Sequence, residues 1–301
     1  MPHCSQFETE SGKGLIGTAS DTQPESFSIK RGYHSRHEPN YFKDSAMFRA
    51  GVVYQPQVYE LAAFLGRRLG CSHIIDIGCG SGEKLAKLHP EFKLVGIDFG
   101  TNLLECRSRY PFGEWIEWNL EVPSQIPLKS DVLSSAIIIC SDVIEHLLDP
   151  SNLLKNLKTA LDIAPAGILS TPERDLVRGQ GDVGPPANPA HVREWNLAEL
   201  KSLLVTNDFR ICFAGLTLNN DRDLEENTSL VVLGNSSRAI DEPVLEQLLL
   251  GNSDLALGIS EYAPPFVPRA IRKARVMRRN FLIRLTRRMC GVSSRIPKSK
   301  D

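Results

Sequence analysis

The stretch IIDIGCGSGEKL, residues 74–85, decides the fold. A continuous apolar run carries one acid, Asp76, and then breaks into Gly78, Gly80 and Gly82 at alternate positions before a helical pattern opens. Apolar runs of this kind suit parallel strands buried on both faces. Glycines after such a strand let the backbone turn tightly and approach a ligand closely, and amides at a following helix N-terminus favour an anionic group. Asp98 stands 22 residues after Asp76 at the end of the next apolar run. A carboxylate in that place accepts both hydrogen bonds of a ribose diol. Strand, glycine turn and spaced acid together indicate a nucleoside cofactor.

Outward from this stretch the pattern repeats. HIIDIG (73–78), KLVGID (93–98), EWIEWN (114–119), SSAIIIC (134–140) and AGILST (166–171) read as strands. Between them Ser81 to Leu88, Thr101 to Arg109 and Ser151 to Ala164 have helical spacing, and Val58, Leu61, Ala62, Leu65 and Leu69 form one stripe ahead of Gly70. Asn196 with Glu199 makes a capped helix start. Strands near 209–217 and 228–234 follow with a short loop between them, so they pair antiparallel at one edge. Alternating strands and helices predict an α/β doubly wound sheet, mostly parallel, with helices on both faces.

The chain has 301 residues, 42% hydrophobic and 24% charged, enough for one large domain with appendages and incompatible with disorder throughout. Its longest apolar stretches, such as Val132 to Cys140, run about nine residues against roughly 18 needed to cross a bilayer. The polar N-terminus, with Glu8, Glu10 and Lys13, does not resemble a signal peptide, and a cytoplasmic chain is expected. Seven scattered cysteines without Cys-x-x-Cys spacing argue against a disulfide framework or a zinc knuckle. The net charge of -1 hides a strong asymmetry. From Arg269 onward there are 12 Lys/Arg and one acid, which leaves 23 basic and 35 acidic residues upstream. Ile271, Ala274, Met277, Leu282, Leu285 and Met289 cluster on one helical face among these arginines. Such a helix suits an anionic membrane surface, while a solvated appendage, the acidic body of the chain and RNA phosphates are the other readings. Aromatics for base stacking are absent apart from Phe281, which ranks nucleic acid last. Three regions are expected: a flexible arm over 1–45, a catalytic domain over 46–237 and an extension over 238–301.

The spacing Asp76-x-Gly78-x-Gly80-x-Gly82 differs from the G-x-G-x-x-G of dinucleotide folds and resembles the class I S-adenosylmethionine-dependent methyltransferases. The resemblance covers about residues 50–235 and implies a Rossmann-like seven-stranded sheet with an antiparallel edge strand, and S-adenosyl-L-methionine as cofactor. It implies that Asp76 fixes the methionine end, largely through its amino group, that Gly78, Gly80 and Gly82 form the turn, and that Asp98 holds the ribose. Asn119 and Leu120, after the third strand, fall where such enzymes contact adenine. CSDVIEHLLDP (140–150) resembles the fourth-strand segment of the small-molecule branch. There Asp142 is assigned to the cofactor, and Glu145 and His146 stand beside the methyl donor. An imidazole there could remove a hydroxyl proton. Carboxylates plus imidazole could instead bind a divalent metal, as in quinone and RNA-end methyltransferases with a similar E-x-x-E-H segment, or simply support the fold. The assignment adopted is catalytic for His146, His191 and Glu145, with no metal. His191, in NPAHVREW (188–195), lies in a Gly/Pro-rich segment that reads as a lid, with Tyr33, His34 and Tyr41 as its opposite wall. Residues 140–150 lack the Asn/Asp-Pro-Pro-aromatic stretch of adenine- or amide-directed enzymes, so oxygen is the expected target. The longer context resembles bacterial methyltransferases of cell-surface glycan synthesis, which implies a small-molecule or glycan-related acceptor. The alternatives are an NAD-dependent oxidoreductase on the same fold and a non-catalytic nucleotide-binding module.

Overall fold

The computed structural model describes residues 28–40, 52–223 and 225–235. Tyr41, the rest of the expected arm and the basic C-terminal segment lie outside the described residues. Helix α1 (Pro56–Leu69) starts on a proline, stops at left-handed Gly70 and buries Val58, Tyr59, Leu61, Ala62 and Leu65. Then follow β1 (His73–Ile77), α2 (Glu83–Ala86), β2 (Lys93–Asp98), α3 (Thr101–Arg109), β3 (Glu114–Glu117), α4 (Ser130–Leu133) and β4 (Ala136–Ser141). A 3-10 turn (Ile144–His146), α5 (Ser151–Leu161), β5 (Ala166–Pro172), α6 (Arg174–Val177), α7 (Leu197–Thr206), β6 (Arg210–Leu218) and β7 (Glu226–Gly234) complete the order.

The seven strands lie in the order β3-β2-β1-β4-β5-β7-β6. The first five are parallel, and β7 runs antiparallel to both β5 and β6. The expected antiparallel pair is therefore present at one edge. Alternate strand residues point to two separate cores. Ile75, Ile77, Val95, Ile97 and Ile138 pack with Leu153 and Leu157 of α5 and Leu200 and Leu203 of α7. Ile74, Leu94, Ile137, Ile139 and Ile168 pack on α1 and on Leu103 and Cys106 of α3. Each fully buried aliphatic side chain contributes about 1.5–3 kcal/mol, so neither face of this sheet tolerates exposure. Chain order reverses between β1 and β4, and the crevice at their carboxyl ends is where open α/β sheets bind ligands.

Two local expectations change. The helix read over 81–88 is one turn, Glu83–Ala86, and the one read over 151–164 ends at Leu161. As the reading of an arm that becomes ordered near Tyr33 implies, residues 28–40 form a strap along the 183–192 segment. His34 N donates to Val183 O (2.7 Å), Arg36 N to Val192 O (2.7 Å) and Asn40 N to Pro189 O (2.8 Å). The free cysteines among the described residues are buried at positions 79, 106, 140 and 212 and half-buried at 71.

Candidate active site

β1 delivers Asp76 and the glycine turn to the carboxyl edge. Gly78, Gly80 and Gly82 all have positive φ (78°, 55° and 70°), a conformation that favours glycine. The amides of Gly78 and Cys79 both donate to Ile97 O, which binds the turn to β2. A side chain at Gly78 would place its Cβ 2.3 Å from Val143 Cγ2, and one at Gly82 would lie 2.8 Å from Trp115 and 2.9 Å from Cys106 Sγ. The space beside these two glycines is thus filled by protein side chains. The following helix, Glu83–Ala86, is a single turn.

Asp76 is 1% exposed and its Oδ2 accepts from Tyr59 Oη at 2.8 Å. Burial, followed by the Asp76 charge, holds the Tyr59 phenol well above its ordinary value. Asp98 accepts from Gly80 N and from Phe99 N, both at 2.7 Å, while staying partly exposed. The acid expected on the ribose therefore also anchors the turn. Asn119 turns its Oδ1 to Glu121 N (3.0 Å), and Leu120 packs into the core beside Trp118. Acids at Asp76 and Asp142 and an accessible carboxylate at Asp98 fit a ligand that carries ammonium and sulfonium charges and a ribose diol.

The D-x-x-E-H segment is not the helical turn its spacing suggests. Asp142 is left-handed (φ 54°), and only Ile144–His146 are helical. Asp142 Oδ1 accepts from Gln55 Nε2, and Gln55 is itself left-handed (φ 46°) and 1% exposed. Gln55 Oε1 accepts from the Ser141 and Ser170 hydroxyls. Two facing non-glycine residues in this region mark backbone strain of the kind found at functional sites. Burial, then the neighbouring Glu145, pushes the Asp142 carboxyl up to about 7 against the pull of Lys84, His146 and His191. Burial also raises Glu145, whose Oε2 accepts from Thr171 Oγ1 at 2.9 Å.

His191, distant in sequence, joins this group because Val192 N donates to Glu145 O at 2.7 Å. His146 Nδ1 donates to Ala190 O (2.8 Å), so Nε2 carries the lone pair in the neutral ring. Asn188 Oδ1 accepts from Ala190 N, which turns Nδ2 toward His191 Nε2 (2.9 Å). His191 Nδ1 then donates to Glu194 Oε1 at 2.7 Å. Burial alone would lower His191, but the Glu194 hydrogen bond and the charges of Glu145, Glu194 and Asp142 outweigh it and raise its pKa. The two rings meet edge to face at 4.9 Å. Ligand-capable atoms of Glu145, His146 and His191 all lie within 4.8 Å of one another, so these three are also the residues that a divalent cation could bridge.

Buried arginines fix the 172–196 segment. The Arg174 guanidinium, 0% exposed, binds Glu199 through both Nη atoms (2.6 and 2.9 Å) and lies over the Tyr33 ring. Arg178 reaches Asp182, Gly184 O, Pro185 O and Glu194. Tyr33 Oη accepts from Glu194 N (2.9 Å), so the strap supports the carboxylate that holds His191. Gln55, Tyr59, Lys84, Asn188 and Glu194 carried no motif in the sequence. The one legible hint was the clustering of Asn188 and Glu194 around His191.

A family model described as a methyltransferase domain matches residues 54–212. A probable S-adenosylmethionine-dependent methyltransferase of Mycolicibacterium smegmatis is 28% identical over 221 residues, 70% of this chain and 79% of that protein. One from Mycobacterium tuberculosis is 30% identical over 165 residues, 54% of each chain. A solved S-adenosylmethionine-dependent methyltransferase from Clostridium acetobutylicum gives a TM-score of 0.46 at 13% identity, covering 64% of this chain and 95% of that one. The oxidoreductase alternative is not favoured. With the family model spanning more than half of the chain, the protein belongs to the methyltransferase domain family and is an enzyme whose cofactor is S-adenosylmethionine.

Proposed function

We propose that the chain methylates a hydroxyl oxygen of a small-molecule or glycan-related acceptor, with His146 as proton acceptor and Glu145 and His191 as the groups that hold it. The observation that carries this reading is the cluster of these three side chains at the carboxyl ends of β4 and β5, adjoining Asp142. The bound cofactor supplies an electrophilic methyl carbon. The chain's own task is to place the acceptor in line and to take up the hydroxyl proton as the new C–O bond forms. The His146 tautomer, set by Ala190 O, presents Nε2 as the basic nitrogen. A ubiquinone biosynthesis O-methyltransferase of Coxiella burnetii, 31% identical over 100 residues, supports oxygen as the target. That match covers 32% of this chain and 41% of that protein.

The test is transfer of labelled methyl to paired acceptors that present a hydroxyl or an amine on one scaffold, with and without a chelator. Selective labelling of the hydroxyl that survives chelation and falls at least about hundredfold in His146→Ala supports the base reading. Loss on chelation, with recovery on adding Mg²⁺ or Mn²⁺, would replace the base with a cation on Glu145, His146 and His191. Preferential amine labelling would refute the oxygen target. By sequence alone, residues 269–289 are also read as a contact to an anionic membrane surface, in preference to nucleic acid.

A further inference from the structure

We propose that Asp142 reads the charge on the sulfur of the donor, so that the enzyme holds S-adenosylmethionine more tightly than its neutral-sulfur product, S-adenosylhomocysteine. The inference rests on the donor site lying at the 76–82 turn and goes beyond the family's use of that turn. Position is the first ground. Ile77, the last residue of β1, pairs with Cys140, and Val143 packs directly on Gly78, so the backbone of Asp142 passes across the mouth of the turn. The Tyr59 phenol lies in the field of both Asp76 and Asp142.

Compensation is the second ground. The groups facing Asp142 are Gln55 just before α1, Tyr59 of α1, Lys84 of α2, Glu145 and His146 of its own segment, and His191. Gln55 Nε2 donates to Asp142, Asp142 also hydrogen-bonds the Glu145 carboxyl, and burial with the Glu145 charge disfavours its negative form against the pull of Lys84, His146 and His191. Lys84 shares its ammonium with the Tyr59 ring, 5.1 Å from the centroid. A buried carboxyl so placed gains from an arriving cation. The third ground is rigidity: the left-handed backbones of Asp142 and Gln55 and the two serine hydroxyls on Gln55 fix where that carboxyl points.

Cofactor and product share the adenosine and the α-ammonium, which Asp76 and Asp98 serve alike. They differ by the methyl group and one positive charge on sulfur. Once the methyl has left, Asp142 faces an uncharged atom and the product loses its hold. Strong retention of cofactor with ready release of product follows from one residue.

The experiment is calorimetric titration of the full chain with S-adenosylmethionine, S-adenosylhomocysteine and sinefungin, which carries an ammonium group where the cofactor has its sulfonium. The wild type is expected to favour both cationic ligands over S-adenosylhomocysteine by at least about tenfold. Asp142→Asn should bring that ratio close to one by weakening the cationic ligands alone. Asparagine tolerates positive φ, and retained S-adenosylhomocysteine binding shows that the variant is folded. Lys84→Met, which removes the competing cation, should widen the ratio. Equal wild-type affinity for all three ligands, or equal weakening of all three in Asp142→Asn, would overturn the proposal. Failure of the wild type to bind any of them would instead overturn the donor-site reading.

Discussion

Gly78→Ala tests whether the donor turn and the Asp142–His146 segment are one mechanical unit. The new Cβ would lie 2.3 Å from Val143 Cγ2 and 3.3 Å from Cγ1, against about 3.5–4.0 Å for relaxed carbon contacts. Overpacking of this size costs about 1–3 kcal/mol. The positive φ of 78° adds about 1–2 kcal/mol for any residue with a side chain. A loss of roughly 2–5 kcal/mol in urea denaturation is expected, an appreciable share of a typical domain's stability. Val143→Ala alone removes two buried methyl groups and should cost about 2 kcal/mol. In the double variant the methyl group added at position 78 enters the space vacated by the valine methyls, so only the backbone penalty and a residual packing loss remain. The double variant should therefore be less destabilised than the sum of the singles by about 1–3 kcal/mol. Additivity within about 0.5 kcal/mol, at unchanged denaturant dependence, would refute the contact as the reason for glycine at this position.

Asp98→Asn places an amide where two backbone donors, Gly80 N and Phe99 N, already converge. Affinities for cofactor and product should both fall about hundredfold by calorimetry, and a change under threefold would argue against the ribose role. Arg174→Met leaves Glu199 and Asp175 without their buried partner and should cost about 3–5 kcal/mol in denaturation. Arg174→Lys should recover little, because a single ammonium cannot make the two-pronged contact. Burial pushes the Glu173 carboxyl up to about 7 although Leu176 N and Leu197 N donate to it. The folded state thus holds a proton that the unfolded chain releases above its ordinary value of 4.5, and stability falls as pH rises from about 4.5 to 7, by up to about 3 kcal/mol. Glu173→Gln should flatten the slope of melting temperature against pH between 5 and 8. Asp142, Glu145 and His191, all raised, leave a residual slope of the same sign.

What was legible in the sequence is what is encoded locally. KLVGID was read as a strand over 93–98 and is one over Lys93–Asp98, because a strand buried on both faces must be apolar throughout and so announces itself without tertiary context. Asn196 was read as a helix start from its relation to Glu199, and the two form a complete capping box ahead of α7. The Asp142–His146 segment misled for the opposite reason. Spacing of i, i+3 and i+4 implies one helical face, yet the left-handed backbone at Asp142 ends β4 abruptly, and that conformation depends on Gln55, 87 residues away. His191 could be nominated from its place after β5 but not placed beside Glu145. Their union runs through a backbone hydrogen bond that leaves no mark in side-chain pattern. Tyr33 was read as a wall opposite the lid or as simple packing; its hydroxyl accepts from a backbone amide and its ring lies beside two arginines.

The site has two supports of different character. The donor half rests on β1 and β2, where Ile97 O accepts from the Gly78 and Cys79 amides and the Asp98 carboxylate accepts from Gly80 N. The acceptor half rests on the β4 turn and the 188–194 segment, and is held by charged and polar side chains: Glu194 on His191, Arg178 on Glu194, and Tyr33 beneath both. Backbone contacts survive most substitutions, so the donor half can stay constant while acceptor chemistry varies. The side-chain contacts of the other half depend on residue identity and, on the proposed reading, set where an acceptor is presented. The halves meet through Val143 on Gly78, and Val192 N on Glu145 O joins the two parts of the acceptor half. Both contacts converge on the segment that carries Asp142, Glu145 and His146. Displacement there alters the donor pocket and the proton acceptor together, so a change confined to acceptor preference should arise in the 178–194 segment and the strap before it arises in residues 142–146.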